Sequence, residues 1–194
     1  MTEETGASGR PDGERVRRTG PRERVNCGRL DMRIARDGTW FYHGTPIPRK
    51  EMVRLFASVL ERRADGSFWL ATPAEEGEIA VEDAPFLAVE LLAAGEGHGQ
   101  ILSFRTNLDE HVTLDLDHPL RMRADAAPHV GALHDDGRGA IPYLLVRKGL
   151  EARLSRAVYY ELVTKGVEER RDGAPVYGVW SSQVFFPIGS LSQE

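Results

Sequence analysis

Glu61-Arg62-Arg63-Ala64-Asp65-Gly66 and Glu169-Arg170-Arg171-Asp172-Gly173 carry one signal twice, and their reading sets the expected fold. Each follows an amphipathic stretch and precedes an aromatic strand, the first containing Trp69 and the second Trp180. Asp-Gly tolerates the backbone conformations that end a helix. Before the first copy, Met52, Leu55, Phe56, Val59 and Leu60 recur at helical spacing between Arg49 and Arg62. Before the second, Leu150, Leu154, Ala157, Val158 and Leu162 predict a helix from Leu150 to Thr164. A strand precedes each helix. The pattern predicts an α+β fold of two β-rich units, each crossed by one amphipathic helix, and points to a duplication. The units are read as residues 30–94 and 95–194.

Working outward, Met32–Arg36 and Thr39–His43 flank Asp37-Gly38, which predicts a two-residue type I′ hairpin. In that register Ile34 and Phe41 share one face, and Arg33, Ala35, Trp40 and Tyr42 the other. Pro46 and Pro48 prepare the first helix. Strands follow over 68–72, 78–82, 86–92, 100–105, 111–116 and 143–147, with Val81, Leu87 and Val89, and then Val112, Leu114 and Leu116, at buried alternating positions. Residues 176–180 and 183–186 close the chain as a hairpin-like pair.

Residues 1–29 contain seven Arg and five acids with almost no large apolar side chains, so they cannot offset their ordering entropy and read as a disordered tail. The remainder holds 18 basic and 25 acidic residues, a balance of −7, which argues against a protein that coats nucleic acid. The apolar run from Phe86 to Ala94 is too short for a membrane span. With no apolar leader core, a cytoplasmic setting is expected. Cys27 is the only cysteine, which excludes an internal disulfide and a thiolate cage.

No catalytic signature is present, and no residue is assigned a catalytic role. Gly95-Glu96-Gly97-His98-Gly99 precedes a strand and reads as a connection between strands, because a phosphate loop must feed a helix. Asp115, Asp117 and His118, with His129 and His134-Asp135-Asp136, are donors able to bind a hard cation or zinc. Alternation, however, places Asp115 and Asp117 on the solvent face opposite Leu114 and Leu116, so they read as solvated strand-end charges and no metal site is assigned. Charge is more informative. No Lys or Arg lies between Arg63 and Arg105, whereas Arg147, Lys148, Arg153 and Arg156 crowd the start of the second helix. Cations are unfavourable at a helix N-terminus unless an anion sits among them. That anion is either a bound phosphate or carboxylate, which Arg grips in bidentate fashion, or the Glu82-Asp83 segment of the first unit. Internal pairing carries slightly more weight.

The motifs Cys27-Gly28, Asp31-Met32-Arg33-Ile34, Asp37-Gly38-Thr39-Trp40, Pro46-Ile47 with Arg49, Thr72-Pro73 with Glu75, and Val81-Glu82-Asp83-Ala84-Pro85-Phe86 together resemble a bacterial family of unknown function, numbered 1285. Val146-Arg147-Lys148-Gly149-Leu150, Ala152-Arg153-Leu154 and Arg156 resemble its C-terminal motif. The chain departs from it at Glu76-Gly77-Glu78, where a Lys is expected after the first Glu. The resemblance implies two duplicated α+β units, the second like a pleckstrin-homology barrel, with a cleft between them for a nucleotide-like molecule in signalling. It singles out Trp40, Arg49, Thr72, Glu75, Glu82, Asp83, Arg147, Arg153 and Arg156.

The leading expectation is therefore a regulatory protein that binds a small anionic, nucleotide-like ligand between its units. Arg147, Arg153 and Arg156 would hold the anion, Trp40 would stack on a base, and Glu82 or Asp83 would accept a ribose or base hydrogen bond. A hydrolase-type enzyme with Glu75, Glu82 or Asp83 as general base is one alternative; an interaction module with a purely structural charge network is another. The residues name no cofactor and no protein partner. Removing residues 1–24 is expected to leave the melting temperature nearly unchanged in a thermal melt, and a loss of several degrees would show that this segment packs on the body.

Overall fold

The computed structural model describes residues 24–124 and 140–190. The first unit contains β1 (Val25–Ile34), β2 (Trp40–Tyr42), β3 (Thr45–Pro46), α1 (Lys50–Ser58), β4 (Leu60–Arg62), β5 (Phe68–Ala71) and β6 (Glu75–Val81). Its sheet runs β3-β2-β1-β6-β5-β4, antiparallel except where β1 meets β6. The second contains β7 (Phe86–Ala94), β8 (Ile101–Thr106), β9 (His111–Thr113), β10 (Leu120–Ala124), β11 (Ala140–Arg147) and β12 (Leu150–Leu154). Read from β9, its order is β9-β8-β7-β12-β11-β10, with β7 and β12 parallel. Each sheet is thus two three-stranded meanders joined along one parallel seam. The helix α2 (Arg156–Thr164) and a third sheet, β13 (Val167–Arg171), β14 (Ala174–Ser181) and β15 (Val184–Ser190), complete the described chain. The described residues are mostly β, with two nine-residue α-helices and one 3-10 turn at Gly97–Gly99, and no described helix is long and apolar enough to cross a membrane.

Several expectations are corrected. The chain passes between sheets at 82–85, so β7 belongs to the second unit and the boundary is not at 94. The tail boundary moves as well: residues 25–29 lie in β1, with Val25 paired to Glu75 on β6, while residues 1–23 lie outside the described residues, as do His129 and His134-Asp135-Asp136. The first hairpin has a three-residue loop, Arg36-Asp37-Gly38, closed by hydrogen bonds between Ala35 and Thr39 and from Gly38 to Ala35. Only Gly38 has positive φ, because the Asp37 carboxylate accepts the Thr39 N–H at 2.9 Å instead of letting Asp37 turn over. The register therefore slips by one. Ile34 pairs with Trp40, and Met32, Ile34 and Trp40 are all buried.

The helices are shorter than their apolar patterns. In α1 the buried stripe is Val53 and Ala57 with part of Phe56, whereas Met52 and Leu55 are exposed. Two stripes one residue apart fit the same spacing, and the narrower one faces the core. Leu60 already belongs to β4, so Asp65-Gly66 turns the β4–β5 hairpin rather than ending the helix. The second predicted helix divides: Leu150–Leu154 is strand β12, and helix begins only after Ser155, whose side chain caps it by accepting the Val158 N–H. The turn before β12 uses positive φ at Lys148 and Gly149, which β-hairpin twist demands. In β7 the alternation is inverted: Phe86 and Ala88 are buried, Val89 is exposed, and a register shift before Glu90 brings Leu91 inward. Leu116, beyond the end of β9, is likewise exposed, although Val112 and Leu114 are buried.

One apolar core runs through both units. It joins Ile34, Trp40 and Ile79 from the first sheet to Phe86, Phe104, Leu144 and Leu154 from the second and Leu162 from α2. Trp40 stacks on Phe56 at 6.3 Å and is 1% exposed.

The 36–38 loop is seated on the second unit by Asn107. Its side chain donates to the Gly38 carbonyl and accepts the Leu87 N–H, at 3.3 and 3.1 Å. A Cβ at position 38 would stand 2.6 Å from Asn107 Nδ2, on a backbone at φ +83°. Gly38→Ala is expected to cost about 1–3 kcal/mol in denaturant melts, from left-handed strain and overpacking together.

Candidate functional site

The chain leaves the first sheet at Val81 and enters the second at Phe86, and two acids mark the crossing. Glu82 donates its N–H to the Ile34 carbonyl at 3.0 Å, while its carboxylate pairs with Arg33 and accepts the Arg36 N–H at 3.0 Å. Asp83 points the other way. Its Oδ1 accepts the Tyr143 hydroxyl at 2.6 Å, and its Oδ2 faces Arg153 Nε at 3.5 Å and Arg36 Nε at 4.0 Å. The Asp83 and Arg153 side chains are only 12% and 19% exposed. Asp83 Oδ2 and Arg153 Nε approach as an ion pair, yet neither makes a hydrogen bond. Burial, followed by the bond to Asp83, pushes the Tyr143 phenol well above its ordinary value of 10, so it remains a proton donor.

Beside this cluster a cleft of about 390 Å³ opens between the units. Arg36 and Asp37 enter it from the first hairpin, Arg153 from β12, and Ser155 and Arg156 from the start of α2, over Leu87 and Leu154. Parallel pairing sets Leu87 beside Arg153, which places an apolar side chain next to a guanidinium. The Asp37 carboxyl is held below the usual carboxylate range, chiefly by the Thr39 N–H. Arg156 makes no ion pair among the described residues. The cleft thus brings together three guanidinium groups, Asp37, and Asp83 behind them. It can grip an oxyanion.

The structure brings only some of the sequence-predicted residues together. Asp83, Arg153 and Arg156 converge, with Glu82 alongside. Arg147 does not join them, because the strand β12 separates it from α2. It pairs with Glu110, donates to the Ala57 carbonyl at 2.9 Å at the end of α1, and lies 5.0 Å from the Phe86 ring. Trp40 is in the core and offers no face to a ligand. Arg49 is the exposed N-cap position of α1. Thr72 and Glu75 lock the β5–β6 turn, the Thr72 hydroxyl accepting the Glu75 N–H at 3.0 Å. Glu76, where the expected Lys is missing, pairs with Arg63 at 2.6 Å away from the cleft. Arg36, Ser155 and Tyr143 are not expected at the site from the sequence, and Asp37 reads there only as a turn residue; Arg36 had a usable signal, since it precedes the Asp-Gly turn beside the acidic crossing. Asp115 binds the His118 N–H and ring at its strand end, and no metal-binding cluster occurs among the described residues.

The sequence model described as "Domain of unknown function (DUF1285), N-terminal domain" matches residues 21–84. That of "Protein of unknown function (DUF1285), C-terminal domain" matches residues 85–188. The boundary falls at the crossing between the sheets. Among solved structures, a DUF1285 family protein from Silicibacter pomeroyi DSS-3 is 43% identical, covers 89% of this chain and 90% of its own, and superposes with a TM-score of 0.75. Another, from Shewanella baltica OS155, is 31% identical over 70% of this chain and 91% of its own, with a TM-score of 0.51. No curated protein matches the sequence.

The Tyr143–Asp83 bond makes a pH-dependent prediction. A phenol whose folded pKa is raised stabilises the fold fully below its unfolded value of about 10, and that contribution is lost as the pH rises toward the folded value. Alkaline titration followed at the tyrosinate absorbance is expected to show Tyr143 ionising only as the protein unfolds. Tyr143→Phe is expected to remove that phase and to cost about 1–3 kcal/mol, because Asp83 loses its donor.

Proposed function

The chain belongs to the DUF1285 family, and from that premise we propose that it is a regulatory protein that binds a small anionic cytoplasmic ligand in the cleft between its two units. What supports the reading is one observation: Arg36 from the first unit and Arg153 and Arg156 from the second converge on a single cleft, and Arg156 has no carboxylate partner among the described residues. A guanidinium presents a planar fork to a phosphate or carboxylate, and the capped start of α2 adds the positive end of its backbone dipole. Because the arginines come from both units, a bound anion would tie them together, and ligand occupancy would alter how firmly one sits on the other. We read the units themselves as a duplication, supported by the shared strand order of the two six-stranded sheets. The helix and Asp-Gly signal is a poorer guide, since Asp172-Gly173 turns the separate third sheet.

A thermal-shift screen with inorganic phosphate and phosphate esters tests the reading. A ligand at about 100 times its dissociation constant stabilises the fold by about 2.7 kcal/mol, which for a chain of this size raises the melting midpoint by roughly 5–11 °C. Arg36→Gln and Arg156→Gln are expected to abolish most of that shift, and Arg156→Gln to leave the unliganded midpoint unchanged. If no anion raises the wild-type midpoint while Arg153→Gln melts early, the cluster is structural and the ligand reading is overturned.

A further inference from the structure

Resting on that reading, we infer that the ligand is an amphiphilic anion, a phosphate or carboxylate on a short alkyl or acyl chain, rather than a nucleotide. The inference comes from what lines the cleft. A nucleotide needs a flat platform for its base, an aromatic ring or a guanidinium plane, with donors and acceptors for the base edge. The guanidinium groups of this cleft are the ones that would grip the anion, which leaves the platform to an aromatic ring. Among the described residues no aromatic ring lines this cleft; Trp40, the ring suited to stacking, is sealed in the core against Phe56. The neutral polar side chain among the lining residues is Ser155, whose hydroxyl oxygen accepts the Val158 N–H at 3.4 Å and so leaves a single donor for the whole edge of a base. Asp83 lies behind the lining, with Oδ1 accepting the Tyr143 hydroxyl and Oδ2 buried against the Arg153 and Arg36 guanidinium groups, so it presents no acceptor to a ribose.

What remains is a rim of three arginines and Asp37, whose carboxylate accepts the Thr39 N–H, over an apolar floor. Leu87 stands on the strand face opposite the buried Phe86 and Ala88, directly beside Arg153. Its Cβ lies 3.6 Å from where a Cβ at Gly38 would be, so the first hairpin passes within contact distance of this leucine. At about 390 Å³ the cleft is near the lower end of ligand-binding sites, enough for an anionic head and a few methylenes. Arginine heads above a leucine floor complement a molecule with a charged end and a short greasy body.

Calorimetric titration of the full chain with inorganic phosphate, n-butyl phosphate, hexanoate and adenosine monophosphate tests this. Butyl phosphate is expected to bind roughly tenfold or more tightly than inorganic phosphate, from the buried methylenes, with adenosine monophosphate no tighter than inorganic phosphate. Hexanoate distinguishes a carboxylate head from a phosphate head. Leu87→Ala and Leu87→Asn are expected to erase the butyl advantage while leaving phosphate affinity in place, and Arg156→Gln to weaken both esters. Adenosine monophosphate binding as tightly as butyl phosphate would overturn the ligand class but leave the cleft standing. A butyl advantage that survives both Leu87 variants would overturn it as well. Failure of all four probes to bind the wild-type chain would remove the cleft reading itself.

Discussion

Tyr143 donates its hydroxyl proton to Asp83 where the chain crosses from one sheet to the other, and the geometry around the cleft follows from that bond. A buried carboxylate without donors or a countercharge is costly, and breaking such an arrangement is destabilising. Asp83 meets a donor and countercharges together in one place, with Oδ1 on the Tyr143 hydroxyl of β11 and Oδ2 facing the guanidinium groups of Arg153 on β12 and of Arg36. Fixing it there fixes the next residues: Ala84 and Pro85 are buried, Phe86 turns into the shared core, and Leu87 turns outward beside Arg153. On the other side Glu82 holds Arg33 and the Arg36 backbone, which sets the hairpin that delivers Arg36. A single crossing thus aims residues from both units at one space.

The other polar contacts between the units orient more than they stabilise. Asp109, at the turn between β8 and β9, receives Lys50 and Arg54 from α1, and Arg147 reaches back to Glu110 and the Ala57 carbonyl. These groups are about a third exposed or more, and such pairs are screened and individually weak. Glu151 differs: its side chain is 6% exposed and is held by Arg62 and Arg123. Stability resides chiefly in the continuous apolar core, and the ion pairs choose the angle at which the two halves meet. Arg147 also supplies what α1 lacks, since that helix has no basic residue in its last turn to meet its free carbonyls.

Local chemistry was legible in the sequence, and whatever depended on a distant partner was not. The existence of two β-rich units, most of the strands and the proximity of Glu82-Asp83 to Arg153 could be read from charge and alternation. The first hairpin register could not, because it turns on whether Asp37 takes positive φ or accepts the Thr39 N–H. The strand Leu150–Leu154 carries apolar residues that fit a helical stripe continuing into α2, so periodicity alone could not divide them; only pairing with β7 and β11 makes them a strand. With that division Arg147 moved out of the candidate site, and Arg36, isolated in the sequence from the other arginines, moved in. Trp40 shows the same limit, since an aromatic residue in a motif is equally suited to a core and to a ligand until its burial is known.

The parallel seams have a consequence for the order of assembly. Apart from β10 and β11, which residues 125–139 separate, the strands within each meander are joined by short connections, so their pairings need little loop closure; α1 links the two meanders of the first sheet. The seam β1–β6 joins residues about fifty apart in sequence, and β7–β12 joins Phe86 to Ala152. Long-range pairings form slowly, because their entropy must be surrendered before any contact rewards it. The meanders are the early pieces and the seams the late stitches. The cleft, whose walls come from both sides of the second seam and from the first hairpin, exists only in the last species to form. A nascent or partly opened molecule therefore lacks this cleft, and a molecule that bound there would select the finished fold.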